Sequence, residues 1–368
     1  MQNLSKKELF AFWLSLCTSL TNKKQHTILN ELSDYENIFN KDEYFLSNLM
    51  RLVDENSYNK LVMSLDENIL KNYLRNLYNQ NIKVLTIYSE EYPEMLKEIS
   101  TPPIVLYCKG DTKILKSACV SIVGTRRCTK YGKEITAKIA TQLSNSGLTI
   151  VSGLADGVDT LSHKSAVDLN NPTIAVLGSG FNYIYPANNL ELSNAIVEKG
   201  GLLISEFQPN EKPQTFHFPM RNRIIAGLSK ALIVTEAPLK SGALITKDFA
   251  MECNREVFAV PGRLNDIYSL GCNQIIKDCQ ANILTSVDDV LKIYDKILKK
   301  ETGMVKCLQL SINEQLVFNL LSNNDLHYQE LLTQSMLESK VLNTTLMQLE
   351  LKDLIKKLPG NIYSKVRR

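Results

Sequence analysis

Ala118-Cys119-Val120-Ser121-Ile122-Val123-Gly124-Thr125-Arg126-Arg127 is a short β-branched apolar run that ends in a glycine, a hydroxyl and two guanidiniums. Beyond it Ile135, Ile139 and Leu143 recur at helical spacing, so the segment reads as strand, turn and helix. A helix N-terminus carries unpaired N–H groups and the positive end of a dipole, and Thr125 and Arg126 add donors. The turn therefore suits an anion, with Gly124 allowing the backbone to come close to it.

The same punctuation recurs at 148–153, 173–180, 202–206, 231–236 and 257–262. Each run is apolar without period-2 alternation, as expected of a strand buried on both faces, and helix-length segments separate them. The fold class is therefore α/β, a doubly wound Rossmann-like parallel sheet. Ligands of such sheets bind outside the carboxyl ends of the strands, where all these small and polar terminators would lie.

A chain of 368 residues exceeds one ordinary core, which implies two or three domains. Its 44% hydrophobic and 22% charged residues fit a globular protein. The net charge of +3 is spread evenly: residues 1–81 hold nine Lys/Arg against ten Asp/Glu, and 301–368 hold eight against seven. No segment is a basic arm, so a nucleic-acid partner would have to be held by a local pocket. The eight cysteines include no C-x-x-C pair and the four histidines no H-x-x-x-H, so neither a metal nor a cofactor is expected. Lys6-Lys7 before the apolar run 9–17 has the look of a signal peptide, but Glu8 interrupts it and no small-x-small site follows, so it reads as a core helix. No run reaches spanning length, and a cytoplasmic protein without a membrane partner is the expectation.

Residues 1–80 carry apolar groups at helical spacing throughout and form a helical module, with Trp13 in its core. An extended α/β domain follows over 81–295, entered through Thr101-Pro102-Pro103 ahead of the apolar run 104–107. Residues 296–304 read as a polar linker. The rest, 305–368, has three helical runs and a hairpin-like end around Pro359-Gly360-Asn361, the pattern of a winged helix. Glu350 and Asp353 on its last helix favour protein contact over base readout, and Lys365, Arg367 and Arg368 form either a phosphate contact or a solvated tail.

Three constellations in the α/β domain invite chemistry. Asp159 and His163 share a helical face and could act as a base pair, although helix capping by Asp159 and a buried histidine explain them as well. The run Phe216-His217-Phe218-Pro219-Met220-Arg221-Asn222-Arg223 sets aromatic rings for base stacking beside phosphate donors. The alternative is an aromatic plug with the arginines paired to Glu206 or Glu236. Ser241 and Gly242 open a further helix and offer a second phosphate seat.

Together, Val123-Gly124-Thr125-Arg126, Ser152-Gly153-Leu154-Ala155, Tyr185-Pro186, Ser205-Glu206, Phe218-Pro219-Met220-Arg221-Asn222-Arg223, Ser241-Gly242 and Val260-Pro261-Gly262 resemble the DNA-processing protein A (DprA/Smf) family over 82–295. The resemblance extends less specifically to a SAM-like N-terminal module and a C-terminal winged-helix module. It implies a non-enzymatic recombination mediator that binds single-stranded DNA entering in natural transformation, protects it and loads the RecA recombinase. It also implies a nucleic-acid pocket of Gly124, Thr125, Arg126, Phe218, Arg221, Asn222 and Arg223, with Ser241 and Gly242 across the cleft. A homodimer is implied through Asn273, Ile275 and Ile276, where one isoleucine would be core and the other interface. Thr125 stands where the family more often has Ser, and Asp156 where it often has a basic residue, which would weaken phosphate binding on that side or lie outside its path.

A nucleotide-hydrolysing enzyme of a related nucleotide-binding α/β family is the competing reading. The turn Ser241-Gly242-Ala243-Leu244-Ile245-Thr246-Lys247-Asp248 lacks the G-G-x-G-T-x-x-E pattern such an enzyme would show, leaving Glu206 and Glu236 as its candidate carboxylates. A dehydrogenase falls away for want of G-x-G-x-x-G.

Overall fold

A computed structural model describes residues 4–32, 38–302, 311–321, 325–351 and 354–365. They divide into two compact units, one up to Leu298 and one from Lys299. The first begins with five helices, α1 (Lys6–Ser15), α2 (Asn22–Glu31), α3 (Glu43–Leu52), α4 (Glu55–Ser64) and α5 (Glu67–Asn79). Side-chain caps start most of them: Ser5 and Glu8 form a capping box on α1, and Thr21, Asp54 and Asp66 cap α2, α4 and α5. Trp13 is fully buried, its indole N–H donating to the Leu61 carbonyl at 3.2 Å and to Ser64 at 3.0 Å.

The sheet follows, built from β1 (Lys83–Thr86), α6 (Glu94–Lys97), β2 (Val105–Gly110), β3 (Cys119–Val123), α7 (Lys130–Asn145), β4 (Thr149–Ser152), α8 (Val158–Asp168), β5 (Thr173–Val176), α9 (Leu190–Glu198) and β6 (Leu202–Ser205). It continues through α10 (His217–Gly227), β7 (Ala231–Val234), α11 (Gly242–Glu252), β8 (Glu256–Ala259), α12 (Leu270–Lys277), β9 (Asn282–Ile283) and α13 (Val287–Thr302). The strand order is β1-β2-β6-β5-β4-β3-β7-β8-β9. From β3 to β9 neighbours run parallel, while β2 joins β6, and β1 joins β2, antiparallel. Winding proceeds outward in both directions from β3, so the topological switch point lies between β3 and β7. The expected doubly wound sheet is present, and the strand entered through Pro102-Pro103 is β2, which extends it between β1 and β6.

Two expected boundaries shift. The N-terminal helices do not form a separate body: Phe10, Trp13 and Leu74 share one core with Tyr107 of β2, Ala175 of β5 and Leu203 of β6. Their apolar face is too large to bury among five short helices, so it closes on the sheet. Residues 296–302, polar enough to read as linker, continue α13. Lys and Glu are good helix formers, so a polar run need not be a linker. Residues 303 and 304 lie outside the described ones.

In the second unit α14 (Ile312–Leu320), α15 (Tyr328–Ser335) and α16 (Ser339–Leu351) pack with a three-stranded antiparallel sheet of β10 (Leu326–His327), β12 (Ile362–Lys365) and β11 (Ile355–Leu358), in that order. This is the expected winged helix, its core formed by Val317, Leu331, Leu342, Leu346 and Tyr363. Ser311 and Glu314 cap α14 reciprocally. Asp353, Arg367 and Arg368 lie outside the described residues.

Candidate nucleic-acid interface

The switch point opens into a cleft of about 770 Å³. Its floor is Arg221, whose residue surface is 4% exposed. The Arg221 guanidinium donates from Nη1 to the Gly153 carbonyl at 2.5 Å and also to the Val176 carbonyl, at the carboxyl ends of β4 and β5. Gly153 has no Cβ because one there would lie 2.5 Å from Arg221 Nη2. Asp159 is buried nearby, accepting the backbone N–H of Gly153 at 3.1 Å and of Ala155 at 3.3 Å. Burial pushes the Asp159 carboxyl up while the Arg221 charge pulls it down. Burial likewise brings Arg221 down to about 10, against the support of Asp159.

The walls are more accessible. Arg126 and Arg127 are exposed on one side and Lys240 on the other. Phe218 packs against Gly178, lies 5.4 Å from the ring of Tyr185, and has the Arg126 guanidinium 5.5 Å from its centroid. Asn222 donates from its amide to the Gly242 carbonyl at 3.4 Å, joining α10 to the start of α11. Ser241 caps α11, and Gly242 faces open space. Asp156 is exposed and shares a small recess with Arg126, Tyr185 and Phe218.

Of the residues expected here, Gly124, Thr125, Arg126, Phe218, Arg221, Asn222, Ser241 and Gly242 line the cleft. Arg223 does not. It is 5% exposed and binds Glu206 Oε2 at 2.5 Å on the far side of α10. Two residues along a helix from Arg221, it faces about 200° away from it, so the two arginines cannot serve one cleft.

The anion seat expected after Gly124 is also filled from within. Helix α7 begins only at Lys130, and the buried Glu236 carboxylate accepts from the Thr129 N–H at 2.9 Å and the Thr129 hydroxyl at 2.5 Å. Gly124 makes room for protein: a Cβ there would lie 2.5 Å from Val158. Glu206 and Glu236, the carboxylates a hydrolase would have used, are thus both engaged in the scaffold. Asp159 and His163 form no dyad, because the His163 Nδ1 lies 2.8 Å from the Thr173 hydroxyl and Asp159 faces the β4 turn.

Arg127, Tyr185, Ile267 and Tyr268 also line the cleft. Arg127 was visible beside Arg126; Ile267 and Tyr268 come from the loop after β8 and carry no sequence signal. Near α12, Ile275 is buried, Ile276 is half-buried, and Asn273 is held by both backbone groups of Gly262 at 3.0 Å. Among the described residues no His, Cys, Asp or Glu cluster could hold a metal ion, and no helix is long and apolar enough to cross a membrane.

A doubly wound sheet with guanidiniums and aromatic rings gathered at its switch point defines the class of this α/β protein. Residues 83–295 match the family described as DNA recombination-mediator protein A, and residues 308–361 match the DprA winged helix domain. The chain belongs to the DNA recombination-mediator protein A family. It is 44% identical over 214 residues to the DNA processing protein DprA of Bacillus subtilis, covering 58% of this chain and 71% of that one. With the Streptococcus pneumoniae DNA processing protein DprA it is 43% identical over 216 residues, 59% of this chain and 76% of that one. Among solved structures it resembles DNA processing protein A from Streptococcus pneumoniae, with TM-score 0.67, 35% identity, and coverage of 79% of this chain and 98% of that one. It also resembles DNA processing protein A from Helicobacter pylori, whose structure concerns a single-stranded DNA binding mode, with TM-score 0.53, 33% identity, and coverage of 58% and 96%.

The scaffold under the cleft carries a pH signature. Burial pushes His163 from 6.5 down to about 3. The unfolded chain therefore takes up a proton below about pH 6.5 that the folded chain refuses until about pH 3, so stability falls as pH drops through that window. Between pH 7 and pH 5 the wild type should lose about 2 kcal/mol more than His163→Gln in chemical denaturation. Parallel losses in the two proteins would show that His163 is not held neutral.

Proposed function

We propose that the chain binds single-stranded DNA in this cleft as a recombination mediator, protecting strands that enter in natural transformation and delivering them to the RecA recombinase. The observation that carries the reading is the exposed Arg126 guanidinium beside the Tyr185 and Phe218 rings. A phosphate donor and a stacking surface at one point suit a strand whose bases are unpaired, since paired bases offer no free face. Lys240, Asn222 and the N-terminus of α11 supply donors across the cleft, while Arg221 holds the floor and Arg223 serves the scaffold. Membership of a family described as a recombination mediator, and the single-stranded DNA named for the Helicobacter pylori relative, support the same reading. No cofactor or catalytic residue is part of it, and its setting is the cytoplasm, where incoming strands meet the recombinase.

Arg126→Ala should weaken single-strand binding and lower the salt slope by about 0.7, one phosphate contact's worth for a single strand. Phe218→Ala should cost about 1–3 kcal/mol of affinity with the slope unchanged, because stacking releases no counterion. Titrations at several salt concentrations separate the two effects. Unchanged affinity and slope in a folded Arg126→Ala protein would remove the cleft from the strand's path.

The same reading includes a homodimer through α12. Ile275 belongs to the core, which leaves the half-buried Ile276 as the interface side chain. A twofold axis presents each residue twice, so Ile276→Arg should oppose like charges and give a folded monomer by light scattering. It should also hold a strand less tightly, because linked sites raise effective concentration. A folded Ile276→Arg dimer, or a wild type monomeric at micromolar concentration, would contradict the arrangement.

A further inference from the structure

On the other side of α10 from the cleft lies a second recess of about 570 Å³, between the N-terminal helices and the loop after β6. The two share a wall: Thr215, Phe218 and Asn222 face the cleft, while Phe216, His217 and Met220 face the recess. A strand leaving the cleft over the start of α10 would reach the recess within a few residues' width. None of the recess's lining residues is Lys or Arg, whereas the cleft has four such cations, Arg126, Arg127, Arg221 and Lys240. The recess is therefore not built to hold phosphate.

What it offers is rings and acceptors. Phe207 and His217 stack at 3.9 Å between centroids, and Phe216 meets His217 edge-on at 4.6 Å with 57% of its surface exposed. Gln25 and Gln208 each donate from the amide nitrogen to a carbonyl of the α1 end, Leu14 and Leu16, at 3.4 Å, and Asn22 donates to Glu206 at 3.4 Å. Their amide oxygens are left as acceptors. Glu206, with a side chain 9% exposed, uses Oε2 for Arg223 and Asn22 and leaves Oε1 without a hydrogen-bond partner. Glu211 adds a second carboxylate, 3.4 Å from His217 Nε2. Arg223 neutralises Glu206, so the recess has too little net charge to select a polycation.

We propose that this recess is a second subsite for the strand, taking one unpaired nucleobase by stacking on the exposed ring of Phe216, which the buried Phe207–His217 stack backs edge-on, and by accepting hydrogen bonds from an exocyclic amine. It would favour cytosine, adenine or guanine over thymine, which has no amino group. The proposal rests on the reading of the cleft as the single-strand site, and extends it to a part of the molecule shaped by the N-terminal helices.

The test uses the full chain with single strands carrying 5-iodocytosine at successive positions, irradiated when bound and mapped by mass spectrometry. Adducts are expected at Tyr185 or Phe218 from one position and at Phe216 or Met220 from another, with Phe216→Ala removing the second set and keeping the first. With 5-iodouracil the adducts in the recess should fall at least about fivefold relative to those in the cleft, the smallest discrimination a good base contact gives. Adducts confined to the cleft would overturn the subsite and leave the single-strand reading standing, while no adducts in either place would overturn both. Equal recess yields from the two bases would overturn the preference for an amine.

Discussion

The cleft depends on the burial of one guanidinium. Arg221 lies beneath the carboxyl ends of β4 and β5, bonded to the Gly153 and Val176 carbonyls, with Asp159 as the nearby opposite charge. Carbonyls at strand ends lack ladder partners, and a buried cation lacks water, so each satisfies the other. The contact ties α10 to two strands of the sheet. With α10 fixed, Phe218 and Asn222 stand at the cleft wall, and Ser121 of β3 secures the far end of the helix through the Ile225 carbonyl at 2.7 Å and Ser229 at 2.8 Å.

The same helix looks two ways. Its opposite face carries Arg223 into the pair with Glu206, which Asn22 of α2 also reaches. The N-terminal helices are thus joined to the element that forms the cleft wall, both through shared core and through this polar contact.

Much of this was legible in the chain because the central strands are buried on both faces and therefore read as unbroken apolar runs, from 118–123 to 257–260. The winged helix showed itself in the same way, by helical periodicity followed by a Pro-Gly-Asn turn. The nature of the cleft was legible in the run from Phe216 to Arg223, but the separate duties of its arginines were not. Arg221 and Arg223 are equivalent in composition, and only partners brought from β4, β5 and the end of β6 decide that one floors the cleft and the other braces its back. The seat after Gly124 failed for a related reason: the carboxylate that fills it, Glu236, comes from 107 residues away. The edge strand β9, two residues long, left no pattern to read. Residues 296–302 misled because a polar stretch of helix and a linker can have the same composition.

The central claim is that this cleft grips an unpaired strand by its phosphates and by the face of a base. The most direct measurement compares binding of one single strand and of its duplex to the full chain at several salt concentrations. The account predicts tight single-strand binding that weakens as salt rises, together with much weaker binding of the duplex, whose bases present no free face. Equal affinity for the two forms, or single-strand binding indifferent to salt, would contradict it.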